Sequence, residues 1–92
     1  MFTYLCRFLY VGDNSRHSAN IPDQVGYMIL IESDSDKLEL ISTYKFIKNW
    51  KIQEYLEENN CESVSIELLS EDDIKEYSDI KEKITLNLKD LD

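Results

Sequence analysis

Ninety-two residues, of which 42% are hydrophobic and 32% charged, suit one small globular domain with a modest core rather than a disordered chain. Nineteen acids face ten lysines and arginines, and the resulting net charge of −9 argues against direct contact with nucleic acid or an anionic membrane. No basic stripe interleaved with aromatics stands out, so a basic protein surface is the expected electrostatic complement.

Residues 2–11, FTYLCRFLYV, read as a strand with both faces largely apolar, which places it centrally in a sheet. The segment GDNSRHSANIPDQVG (12–26) follows as a long loop without apolar periodicity. YMILIES (27–33) and KLELIST (37–43), separated by DSDK, read as an antiparallel hairpin with Leu38 and Leu40 on one side. Residues 44–59 read as a helix stopped by Asn59 and Asn60, with an imperfect apolar stripe. That imperfection has two explanations: a strand running on to about Ile47 with the helix starting at Asn49, or a helix covered on both faces. Core packing is the expected role of Trp50; the alternative is that an exposed Trp50 or Tyr55 supplies the aromatic anchor of a protein interface. SVSIELL (63–69) alternates as a strand. Ser70 then opens a capping box, and Ile74, Tyr77, Ile80 and Ile84 form the clearest helical stripe in the chain. ITLNL (84–88) reads as a last strand. The expected fold is a single α+β domain over 1–92, with an antiparallel sheet, two helices on one face and the order β-β-β-α-β-α-β.

The charge is segregated. Residues 1–31 are neutral, and residues 32–92 hold seventeen acids and eight lysines. The acids of SEDDIKEYSDIKEK (70–83) suit a helix, with Glu71, Asp72 and Asp73 at its positive end and Lys81 and Lys83 at its negative end. The 44–59 helix is reversed: Lys45, Lys48 and Lys51 come first, Glu54, Glu57 and Glu58 last, and Glu54–Glu58 is a like-charge pair at i,i+4. A local rule broken in this way points to a functional surface. Glu54, Glu57, Glu58 and Glu62 are therefore the leading partner-binding candidates, joined by Asp72, Glu76, Asp34 and Asp36. The alternative is an ordinary solvated face compensated by nearby lysines.

Catalytic chemistry is not indicated. The one histidine, His17, sits in the long loop beside serines, without the nucleophile, base and orienter of a covalent mechanism. The two glycines, Gly12 and Gly26, cannot build a phosphate loop. Asp34 and Asp36 lack the rest of a calcium-loop pattern, and Cys6, Cys61 and His17 lack zinc-ligand spacing. Neither a metal nor another cofactor is expected, and the chain is read as no enzyme. A small enzyme or ligand binder built around the 12–26 loop is the minor alternative. Two cysteines make no disulfide framework and are expected to be reduced packing residues. The N-terminus carries no apolar run of signal-peptide or membrane-span length, so a cytoplasmic location is expected.

KITLNLKDLD (83–92) resembles the endings of small acidic anti-CRISPR proteins from phages of AT-rich bacteria, and FIKNWKIQEY (46–55) is similar to an aromatic, Gln-Glu-Tyr-bearing segment in one group of them. The first strand and the 12–26 loop have no counterpart in that pattern. The resemblance implies an inhibitor of a Cas effector whose carboxylates stand in for DNA phosphates. An immunity protein or antitoxin masking a basic toxin would need a similar acidic surface.

Overall fold

The structure, a computed structural model, describes residues 1–10 and 24–91. His17 and most of the loop read over 12–26 lie outside the described residues. The fold is α+β: a four-stranded sheet ordered β3-β1-β2-β4, built from β1 (Phe2–Tyr10), β2 (Gln24–Ser33), β3 (Ser63–Leu68) and β4 (Lys83–Thr85). β1 pairs antiparallel with β2 and β3, whereas β4 runs parallel to β2. The sheet is therefore mixed rather than wholly antiparallel.

β1 is internal, as its two apolar faces require. Tyr4, Cys6 and Phe8 point to one side and are fully buried with Ile29, Ile31 and Val64 beneath α1 (Thr43–Lys48) and α2 (Trp50–Glu58), which contribute Phe46, Ile52 and Leu56. On the other side, Leu5 and Leu30 form a second, smaller cluster with Leu69, covered by Ile74 of α3 (Glu71–Glu76) and by Tyr77 and Ile80 after it. The helices therefore lie on both faces, not one. A shift of register between Phe8 and Leu9 leaves Gly26 as the extra residue of β2.

The hairpin expected over 27–33 and 37–43 does not form. β2 already has β1 on one edge and β4 on part of the other, and the chain after Ser33 is drawn over the core instead. The buried Tyr4 hydroxyl donates to the carbonyl of Ser35 and accepts from the Leu38 amide at 3.3 Å. A 3₁₀ turn over Leu38–Leu40 follows, with Leu38 buried and Leu40 exposed, so the two leucines do not share a face. The Glu39 carboxylate accepts the Leu68 amide on the outer edge of β3.

The 44–59 segment is two helices: residues 43–48 are helical, so no strand runs on to Ile47, while a second helix does begin at Asn49, its N-cap. Asn49, in extended conformation (φ −70°, ψ 129°), ends α1 and caps α2, its side chain accepting the Lys51 amide at 3.0 Å. Phe46 belongs to one helix, and Ile52 and Leu56 to the other. Trp50, at the break, is 69% exposed and is not a core residue. At the C-terminus of α2 the Asn-Asn stop is a Schellman motif. Asn60 takes φ 54°, and the amides of Cys61 and Asn60 bond to the carbonyls of Leu56 and Glu57. α3 has the predicted capping box between Ser70 and Asp73 but ends at Glu76, and Ile84 sits on β4 against the first cluster. β4 is only three residues long, and the chain closes with a 3₁₀ turn over Leu88–Leu91 that buries Leu91.

Two stability and reactivity outcomes follow. Asn60→Ala should cost about 1 kcal/mol in urea denaturation, because alanine lacks the tolerance of asparagine for left-handed backbone, while Asn60→Gly should not destabilise. Burial pushes the Cys6 thiol up to about 12. A thiol reagent at neutral pH should therefore modify the partly exposed Cys61 first and reach Cys6 only on unfolding, and equal rates would contradict the fold.

Candidate acidic and aromatic interface

Three aromatic rings meet where β1, β2 and α2 come together. Phe8 is fully buried, and the half-buried Tyr27 and Tyr55 stack on each other with centroids 5.6 Å apart and planes 24° from parallel. Phe8 lies 5.5 Å from Tyr55 and 6.1 Å from Tyr27, so the core ring supports the two partly exposed ones. Phe8 and Tyr27 are directly paired across the β1–β2 ladder, which sets their spacing.

Carboxylates from two distant segments gather around these rings. The Tyr55 hydroxyl donates to the Glu82 carboxylate at 3.2 Å. Glu82 reaches this point because its own carbonyl accepts the Leu30 amide at 2.9 Å as the chain enters β4. Glu54 and Glu58 approach from α2. Burial is the first cause raising the Tyr27 hydroxyl above its ordinary value, followed by the negative charges of Glu82 and Glu58. Tyr55 is raised by burial, then by its hydrogen bond to Glu82 and the charge there, and then by Tyr27 and Glu54. Among the described residues, ion pairs join Arg7 to Glu67 (3.2 Å) and Lys83 to Glu32 (3.9 Å), and neither touches Glu54, Glu58 or Glu82. A Lys or Arg head placed here would meet carboxylates and two aromatic rings together, and the local charge and ring quadrupoles both favour a cation.

The sequence-predicted acids are not one patch. Glu54 and Glu58 flank the tyrosines. Glu57 and Glu62 instead line an open groove of about 620 Å³ with Ile47, Leu56 and Cys61, where Gln53 donates to Glu57 at 3.3 Å. Asp72 and Glu76 lie on α3, across the sheet. Asp34 and Asp36 follow the far end of β2, about 20 Å along the strand from Tyr27 at roughly 3.3 Å per residue. There the Asp34 amide donates to Asn87 at 3.1 Å and its carboxylate accepts the Leu88 amide at 3.5 Å. Tyr55 was a candidate aromatic anchor, whereas Glu82 and Tyr27 were not among the candidates. Only the parallel pairing of β4 with β2 brings Glu82 to the tyrosines.

The reversed helix charges are partly explained by the break at Asn49. Lys45 and Lys48 now occupy the last turn of α1, where the helix dipole favours cations. α2 retains the anomaly, with no basic residue in its last turn.

Among the described residues, no group of three or more His, Cys, Asp or Glu side chains is arranged to hold a metal ion. No described helix is long and apolar enough to cross a membrane. No family model, curated protein or solved structure matches the chain.

Because Tyr27 and Tyr55 hold their protons more tightly when folded, the unfolded chain ionises first as the pH rises through the ordinary tyrosine value of about 10. Stability is complete below that value and is lost as the pH climbs through the raised native values. The urea midpoint should fall in this alkaline range, and Tyr55→Phe should make the fall shallower. A pH profile identical to that of the parent would contradict the arrangement.

Proposed function

We propose that this protein is a non-enzymatic inhibitor that binds a basic, nucleic-acid-handling protein. Its contact face is formed by Glu54, Glu58 and Glu82 around Tyr27 and Tyr55. The observation that carries this reading is the convergence of carboxylates from α2 and from the entry to β4 on stacked, partly exposed aromatics, with no ion-pair partner for them among the described residues. Carboxylates held on a rigid framework occupy a basic groove as phosphates do, and the remaining negative charge of the molecule speeds the encounter. The resemblance in 46–55 and 83–92 makes a Cas effector of a bacterial host cell the particular partner to test, with the chain as a phage anti-CRISPR acting in the cytoplasm.

Glu57 and Glu62 form a flank of this contact. Asp72 and Glu76 engage only a partner that wraps the opposite face of the sheet, and Asp34 and Asp36 belong to a separate end of the molecule.

The test is capture from nuclease-treated bacterial lysate by the wild-type chain and by Glu54→Lys/Glu58→Lys/Glu82→Lys, with thermal denaturation of both. Expected is a basic nucleic-acid enzyme held by the wild type, released by salt, inhibited in its cleavage reaction and lost from the triple variant at unchanged stability. Equal capture by the variant would remove this face from the assignment. A basic toxin in place of a nucleic-acid enzyme would make the chain an immunity protein.

A further inference from the structure

The junction of α1 and α2 presents a surface of opposite character. Residues 43–51, TYKFIKNWK, contain Lys45, Lys48 and Lys51 and no acid, in a chain where acids outnumber bases nineteen to ten. The helix break at Asn49 turns Tyr44 and Trp50 outward, 64% and 69% exposed. Each has a lysine ammonium near its ring: Lys48 Nζ lies 4.6 Å from the centre of Tyr44, and Lys51 Nζ lies 5.6 Å from that of Trp50. Lys51 also donates to the Thr85 carbonyl at 3.0 Å, which anchors the Trp50 end of the surface to β4. Beside these rings, a groove of about 430 Å³ runs between α1 and the C-terminal 3₁₀ turn, with Lys45 and Lys48 on the α1 side and Asp90 and Leu91 on the other. The Asp90 carboxylate already accepts the Asn87 amide at 2.8 Å, and the Asn49 side chain donates to the Asp90 carbonyl at 3.1 Å. Among the described residues neither Lys45 nor Lys48 has an ion-pair partner, and Lys48 meets the Tyr44 ring.

We infer that this face binds single-stranded nucleic acid, with Tyr44 and Trp50 stacking on bases and Lys45 and Lys48 meeting phosphates. Exposed aromatics interleaved with cations are the recognition device of single-strand binders, since every base offers a ring face and every linkage a negative charge. An acidic peptide would use the lysines but leave the two rings without a role. The overall charge of −9 opposes any polyanion. It acts weakly beyond a screening length of about 8 Å at physiological salt, however, so the local lysines govern the contact. Glu54, one helical turn beyond Trp50, bounds the surface and keeps the binding weak. The inference departs from the expectation of no nucleic-acid contact, which rested on total charge and on the absence of a basic stripe interleaved with aromatics; residues 43–51 supply such a stripe. It stands independently of the acidic face.

Trp50 is the sole tryptophan, so its fluorescence reports this surface directly. The full chain would be titrated at low salt with a short oligothymidylate, an oligouridylate and polyglutamate. Quenching by either oligonucleotide is expected, with affinity falling at a log–log salt slope of about −1.4 for two phosphate contacts. K45A/K48A and Y44A should each weaken binding about tenfold with unchanged circular dichroism. Absence of quenching, equal quenching by polyglutamate, or indifference to both variants would overturn the inference. Because the titration uses the isolated protein and leaves Glu54, Glu58 and Glu82 intact, its failure would leave the acidic-face reading standing.

Discussion

The constraint on which the molecule rests is the burial of β1 on both faces and its pairing on both edges. A strand so enclosed must be apolar on both sides, and everything else is arranged to cover it. Tyr4, Cys6 and Phe8 demand the α1–α2 layer, and Leu5 demands the smaller cover from α3 and the turn after it. Because Tyr4 is fully buried, its hydroxyl needs partners inside the fold, and it finds them in the Ser35 carbonyl and the Leu38 amide. That need bends the chain after β2 across the core rather than back along the sheet.

The same strand organises the candidate site. Phe8 supports Tyr27 across the ladder and Tyr55 from α2, so the stacked tyrosines stand on a core residue rather than on a loop. A contact surface built on rigid elements keeps its shape when unbound and loses less entropy on association. The sheet also acts as a partition. It separates the carboxylates of α2 and Glu82 from those of α3, so a large total charge becomes several distinct surfaces. The first of these combines its acids with two stacked, partly exposed aromatic rings.

The break at Asn49 has a comparable effect on the other charges. One continuous helix would have placed three lysines at its unfavourable end. Two short helices make Lys45 and Lys48 the favourable terminal charges of α1 and expose Trp50 at the joint. An acidic–aromatic face and a lysine–aromatic face therefore occupy neighbouring parts of one helical layer, with Glu54 near their boundary. The two surfaces differ in the sign of charge they select, and the fold holds both without moving any element.

Much of the fold was legible in the chain because it depends on local chemistry. The doubly apolar FTYLCRFLYV had to be an inner strand, the Ser70 capping box had to open a helix, and Asn59–Asn60 had to close one. The acids of α2 were legible as a local irregularity, and Glu54 and Glu58 remain at the candidate site. What the sequence could not show were arrangements that depend on partners far away in the chain. KLELIST alternates as a strand should, yet β2 has β1 on one edge and β4 on part of the other, and the Leu38 amide donates to the Tyr4 hydroxyl instead. ITLNL reads as a strand of either direction, and only the covering of the α3 side made β4 parallel to β2 and carried Glu82 to Tyr55. Trp50 looks like a core residue until the Asn49 break turns it outward. Periodicity, caps and turn residues act over a few positions, and the sequence by itself determined those. Strand partners, the division of charge between faces and the meeting of Glu82 with Tyr27 and Tyr55 are long-range packing choices, and only the tertiary structure decided them.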